Sequence, residues 1–119
     1  MTTFFRAIGW AAVVTIAVLS LVSGEQRPHT VYPGQLEHVV AYLGTAGALT
    51  LGYRSRALMV ALLLAGYAGA LEILQIWVPG RNAAFIDFVS SSLGASAGVC
   101  LAILFQWALI RSGQPAKPY

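Results

Sequence analysis

The sequence predicts an all-α membrane protein with four transmembrane helices, and three observations support this fold class. Hydrophobic residues make up 58% of the 119-residue chain, against about 45–50% in soluble domains. Charged residues are only 9%, where soluble domains have about 25%. Four segments approach the roughly 20 apolar residues that a helix needs to cross about 30 Å of hydrocarbon. We place them at about 4–22, 36–53, 57–78 and 83–110.

The first segment has two interpretations. Arg6 precedes an apolar core that ends at Ser23 and Gly24, as in a signal peptide. The apolar run exceeds the roughly 7–15 residues of a signal core, so we expect a retained helix. The fourth segment is longer than one span requires, which predicts a tilted helix or a start in the interface.

Residues 1–111 are predicted to form one transmembrane domain, and 112–119 a flexible cytoplasmic tail. The positive-inside rule favours cytoplasmic N- and C-termini, because that topology leaves most basic residues inside. The inside set is Arg6, Arg54, Arg56, Arg111 and Lys117, and the outside set is Arg27 and Arg81.

The distribution of charge and cysteine excludes several functions. The seven Lys and Arg are scattered along the chain, so no basic patch is present for nucleic acid. Cys100 is the single cysteine, which excludes a disulfide or a thiolate metal site within one chain and favours a small apolar role.

The run from Glu72 to Asp87 concentrates charge in an otherwise apolar region. Ionisable groups in a transmembrane segment are costly, and each is a functional-site hypothesis. Between the third and fourth segments, Pro79 and Gly80 predict a tight outward-facing turn, and Asn82 is a candidate helix cap.

Three ionisable side chains are predicted to lie at one depth, because each is about 7–11 Å along its helix from the same outer surface. They are His38, Glu72 and Asp87. Each has a polar neighbour at helical spacing, and Arg81 is expected to reach in from the turn and neutralise a carboxylate. The neighbours are Tyr42, Gln75 and Ser91.

Interhelical polar contacts can also serve only to hold helices together. We favour this structural role for Gln75, Tyr42 and Ser91 taken singly, and a site for Glu72 and Asp87 together with Arg81. His38 fits both, and the adjacent Glu37 points to another face. Small residues at helical spacing predict close-packing surfaces without chemistry, at Gly44, Gly47, Gly66, Gly69, Ala70, Gly94 and Gly98.

The chain contains His38 and Tyr42, then Glu72-x-x-Gln75-x-x-x-Pro79-Gly80-Arg81, then Asp87 with Leu93-Gly94 behind it. This series resembles the VanZ-like family of small bacterial membrane proteins. The resemblance covers roughly residues 33–104. The chain departs from the family pattern at Gly34 and Gln35, where the family has Asp-Lys, and at Ser91, where it has Asn.

The resemblance implies a multi-pass protein of the bacterial cytoplasmic membrane, in a family linked to low-level resistance to the glycopeptide teicoplanin. It favours an outward-facing polar site that handles a lipid-linked or amphiphilic envelope molecule. Membrane lipids, an envelope precursor or a larger membrane complex are the partners considered.

Other classes of function stay open. The chain could be a structural subunit of a larger membrane complex. It could also be an enzyme with Glu72 or Asp87 as general acid or base beside His38, a class we favour less. These three side chains could bind a divalent metal. Their spacing matches no zinc motif, so we expect neither a metal nor a cofactor. A proton pathway is least favoured, because the inner halves of the segments lack ionisable residues.

Overall fold

The computed structural model of the chain describes residues 2–21, 34–80 and 84–113. Within these ranges it contains four α-helices and no strand. The helices are α1 (Thr2–Leu21), α2 (Gly34–Gly52), α3 (Ala57–Gln75) and α4 (Phe85–Arg111). The predicted all-α architecture with four helices is therefore confirmed for the described part of the chain.

Three of the four helices are long and apolar enough to cross a membrane, namely α1, α3 and α4. This property indicates a membrane protein. The α2 helix does not have it, because Gln35, Glu37 and His38 place polar side chains in its first two turns. Transmembrane placement of α2, and the side of the membrane on which the termini lie, stay predictions.

The α2 helix lies at the centre of the bundle and contacts each of the other three helices, most extensively α4. Within the described ranges, α1 and α4 do not contact each other. Thr45 and Thr50 in the second half of α2 are 1% and 0% exposed, as expected for a helix that packs between its neighbours.

Two glycines bring α4 against α2. A Cβ atom added at Gly94 would lie 2.9 Å from Cα of Val39, and one at Gly98 would lie 3.0 Å from Cβ of Ala46. Only glycine permits helix backbones to approach so closely. The predicted packing role of Gly94 and Gly98 is confirmed.

Two other small residues, Gly44 and Gly66, do not pack as predicted. Apart from the local backbone of their own helix, no atom lies within 4 Å of a Cβ built at either glycine, and both glycines are exposed. The packing prediction is therefore wrong for these two within the described chain. The physical reason is that they project away from the neighbouring helices, and spacing alone does not reveal this direction.

The α1 helix is anchored to the end of α2 by two side-chain hydrogen bonds. Nε of Arg6 donates to the carbonyl oxygen of Gly52 at 2.8 Å. Nε1 of Trp10 donates to the hydroxyl of Tyr53 at 2.9 Å. The second bond gives Trp10 a specific structural role that its position in the sequence does not suggest.

The α3 helix ends at Gln75, three residues before the predicted end at 78. The backbone N–H groups of Ile76, Trp77 and Val78 bond to carbonyls three residues earlier. The change to this tighter pattern is expected ahead of Pro79, because proline disfavours helical angles in the residue before it.

Candidate functional site

Three ionisable side chains from three helices meet at the end of the bundle where α2 and α4 begin and α3 ends. His38, Glu72 and Asp87 each offer one nitrogen or oxygen atom, and these atoms all lie within 4.8 Å of one another. All three residues are partly exposed. We call them the polar cluster.

His38 and Asp87 are close neighbours without a direct hydrogen bond. Nε2 of His38 lies 3.9 Å from Oδ2 of Asp87, which exceeds hydrogen-bond length. The two side chains are 18% and 19% exposed. A polar group that enters from outside can therefore contact both.

A buried hydroxyl supports His38 from behind. Oγ of Ser91 lies 3.1 Å from Nδ1 of His38, and the Ser91 side chain also hydrogen-bonds with Tyr42. Ser91 and Tyr42 are each 2% exposed, so they do not present polar atoms to an incoming molecule. Their contribution is to hold the imidazole, with Nδ1 engaged and Nε2 directed toward Asp87.

Glu72 joins α3 to the first turn of α4. Its Oε2 atom accepts a hydrogen bond from the backbone N–H of Ala84 at 3.0 Å. Ala84 is the N-cap residue of α4 and has no side-chain cap of its own. Asp87 lies in the first turn of the same helix, so both carboxylates lie near the positive end of the α4 dipole.

Gln75 is not part of the polar cluster. Its Nε2 atom donates to the carbonyl oxygen of Ser20 at 2.9 Å, and the side chain is 3% exposed. Residues three apart on a helix differ by about 60° in direction. Glu72 therefore turns toward α4 while Gln75 turns toward α1, and the predicted placement of Gln75 in the polar layer does not fit this geometry.

Several predicted features lie outside the described residues. Two of them concern the site: Arg81, proposed to neutralise a carboxylate, and Asn82, proposed to cap the fourth helix. The others are Arg27 and residues 114–119 of the predicted tail, including Lys117. All of these stay predictions.

An open groove with a volume of about 320 Å³ lies beside Glu72, between α3 and α4. Phe85 and Phe88 form one wall, with their ring centroids 5.8 Å apart. Ile73 and Ile76 contribute apolar surface from the other side. Sequence reasoning did not select the phenylalanines, although two aromatic residues spaced i, i+3 beside Asp87 are a detectable signal.

The polar cluster has donor atoms that suit a divalent metal, since imidazole and carboxylate ligands bind zinc, manganese and iron. Metal–ligand bonds are about 2.0–2.2 Å, so the three side chains would have to approach one another further. No metal was expected from the sequence. The same atoms also accept hydrogen bonds from hydroxyl or ammonium groups.

The spatial arrangement of Ser91, His38 and Asp87 is similar to that of a catalytic triad, with Ser91 in the place of the nucleophile, His38 of the base and Asp87 of the orienting acid. A serine nucleophile must be reachable by its substrate, and Ser91 is buried against Tyr42. The Ser91 hydroxyl is thus better suited to positioning His38 than to attacking a substrate.

Comparisons of the chain with protein-family models, curated proteins and solved structures found no match. The resemblance to the VanZ-like family therefore stays an expectation from the residues quoted above. The chemistry of the polar cluster and its surroundings is the basis for assigning a function.

Proposed function

We propose that this chain binds an amphiphilic molecule of the cell envelope, with the molecule's polar group at the polar cluster and its apolar part in the adjacent groove. One observation carries this proposal. His38, Glu72 and Asp87 converge from three helices beside an apolar groove that Glu72 itself lines. Purely structural polar contacts do not require such a groove.

The chemistry of the cluster favours a particular headgroup. Two carboxylates accept hydrogen bonds, and the His38 ring carries both a donor and an acceptor when neutral. Nδ1 is engaged with Ser91, which leaves Nε2 for a ligand. A headgroup with hydroxyl or ammonium groups satisfies these acceptors, as a sugar or an amine does.

The groove suits an apolar chain that approaches from the membrane. Phe85 is 79% exposed and Ile76 is 64% exposed, so the groove opens directly to the surroundings of the helices. In a bilayer this opening lets a lipid-linked molecule enter sideways. The aromatic walls match the apolar lining that is usual in small-molecule sites.

The proposed setting is the bacterial cytoplasmic membrane, with all four helices crossing it, both termini inside and the polar cluster outside. The VanZ-like resemblance and the basic residues at the opposite end support this setting. A link to glycopeptide resistance follows from the resemblance alone.

Native mass spectrometry of the protein purified in mild detergent tests the proposal. We expect the wild type to retain a co-purified amphiphile that Asp87→Asn and His38→Gln lose. Glu37→Gln is the matched control, because it removes a carboxylate next to His38 that is not in the cluster. An equal content of bound molecule in all four proteins would contradict the proposal.

A cellular experiment tests the setting. In a bacterium that depends on this chain for teicoplanin tolerance, Glu72→Gln, Arg81→Ala and Asp87→Asn should abolish tolerance while membrane abundance stays unchanged. Wild-type tolerance in all three variants would remove the resistance link. A stoichiometric protein partner that survives detergent, with no bound amphiphile, would favour the subunit interpretation.

A further inference from the structure

A larger cavity lies at the opposite end of the bundle from the polar cluster, between the first halves of α1 and α3. Its volume is about 840 Å³, within the range of roughly 300–1,000 Å³ that is typical of ligand sites. At its inner end the Tyr67 hydroxyl donates to the carbonyl oxygen of Val13. That bond joins α1 to α3 and closes the cavity toward the centre of the bundle.

The polar lining of this cavity is cationic. Arg6, Arg54 and Arg56 line it, and none of its lining residues is acidic. Arg6 is held in place, since its Nε atom donates to Gly52 and its guanidinium lies 4.5 Å from the centre of the Tyr53 ring. Guanidinium groups bind phosphate oxygens with well-defined geometry.

The remaining walls are apolar and aromatic. Trp10 and Tyr53 lie near the arginines, while Met59, Leu63 and Leu64 line the α3 side. Leu63 is 65% exposed, so this side of the cavity opens toward the lipid. An acyl chain can lie along these walls while its headgroup stays beside the arginines.

We infer that this cavity binds an anionic phospholipid, with the phosphate at Arg6, Arg54 and Arg56 and an acyl chain along Leu63. Charge complementarity identifies the occupant, because basic pockets between membrane helices bind anionic headgroups. The site is independent of the polar cluster, which lies at the other end and offers two carboxylates. A lipid bound in the cavity contacts both α1 and α3 and therefore stabilises the packing of these two helices, which contact each other little.

Thermal unfolding of the detergent-solubilised protein with added lipid tests the inference, because a ligand of the native state raises the unfolding temperature. We expect phosphatidylglycerol to stabilise the wild type and phosphatidylcholine to have little effect. The double variant Arg54→Gln, Arg56→Gln should bind phosphatidylglycerol about thirtyfold more weakly, at about 1 kcal/mol for each arginine removed. Both arginines lie in the turn between α2, which ends at Gly52, and α3, which begins at Ala57.

Arg111→Gln is the matched control for charge. Arg111 lies at the same end of the bundle, stacks 4.5 Å from the centre of the Trp107 ring and does not line the cavity. It should bind phosphatidylglycerol as the wild type does. Full binding by the double variant, or an equal loss in Arg111→Gln, would overturn the inference.

The apolar half of the site is tested separately. Leu63→Trp fills the lipid-facing side without changing charge, so it should weaken phosphatidylglycerol binding. Inorganic phosphate at the same concentration should stabilise the wild type far less than the lipid does. Equal stabilisation by phosphate alone would show a simple anion site and overturn the assignment to lipid.

Discussion

Oγ of Ser91 on α4 lies 3.1 Å from Nδ1 of His38 on α2. This contact leaves Nε2 of His38 facing Asp87. Asp87 lies on α4 about one helical turn before Ser91. Because Ser91 is almost fully buried, its hydroxyl holds the imidazole of His38 in position from inside the bundle, while the His38 ring stays accessible. The polar cluster thus has an outer part that a ligand can contact and an inner part that orients it.

Ser91→Ala should lower the free energy of unfolding by about 0.6 kcal/mol, the average for a hydrogen bond between membrane helices, and by no more than about 1.7 kcal/mol, the largest value measured for one. Ser90→Ala is the matched control, because the Ser90 hydroxyl donates only to Ile86 of its own helix. Chemical or thermal unfolding in detergent, followed by circular dichroism, measures both variants. Equal losses in the two variants would show that the contact with His38 contributes nothing specific.

Gly98→Ala should destabilise the bundle by about 1–3 kcal/mol, the usual cost of overpacking. The added methyl group would lie 3.0 Å from both Cβ of Ala46 and N of Gly47, so α2 and α4 must separate. Gly66→Ala should be neutral or stabilising, because nothing lies within 4 Å of its added Cβ and alanine favours helix. Unfolding measurements on both variants test this contrast, which an equal destabilisation would contradict.

Gln75→Leu should separate helix packing from ligand binding. It removes the bond to Ser20 at similar side-chain volume, so the free energy of unfolding should fall by about 0.6–1.7 kcal/mol. The bound amphiphile seen by native mass spectrometry should stay at the wild-type level. Loss of the bound molecule in a folded Gln75→Leu protein would instead place Gln75 in the site.

Glu72 should protect the first turn of α4 from hydrogen exchange. Glu72→Ala removes the acceptor for the Ala84 N–H, and that amide should exchange about fivefold faster, as expected for loss of a helix cap. Glu72→Gln keeps an acceptor oxygen and should preserve much of the protection. Amide exchange read by NMR or mass spectrometry distinguishes them, and unchanged exchange in Glu72→Ala would show that another group caps α4.

The levels of the ionisable residues along the helices were predictable from sequence. A helix rises about 1.5 Å per residue whatever surrounds it. Counting from the predicted turns therefore places His38, Glu72 and Asp87 at one depth, and the structure brings them together. The direction of Gln75 was not predictable in this way. Gln75 points about 60° away from Glu72 around the α3 axis, and this difference turns its side chain toward α1 instead of α4.

The large cavity was also beyond sequence reasoning. A cavity between α1 and α3 depends on how far two helices separated by α2 in sequence diverge in space. The spacing of hydrophobic residues in the sequence does not indicate how far apart α1 and α3 lie. The arginines were assigned only to membrane orientation, and the structure shows that three of them line one apolar space.

By itself, the sequence determined the number of helices in the described chain, their approximate lengths and the shared level of His38, Glu72 and Asp87 along those helices. These follow from local composition and from a helix geometry that is nearly constant. Tertiary structure decided which faces meet, placing α2 at the centre, Ser91 behind His38 and Gln75 against Ser20. The physical reason is that facing directions are set by close packing between segments distant in sequence, at glycines such as Gly94 and Gly98 where backbones can touch.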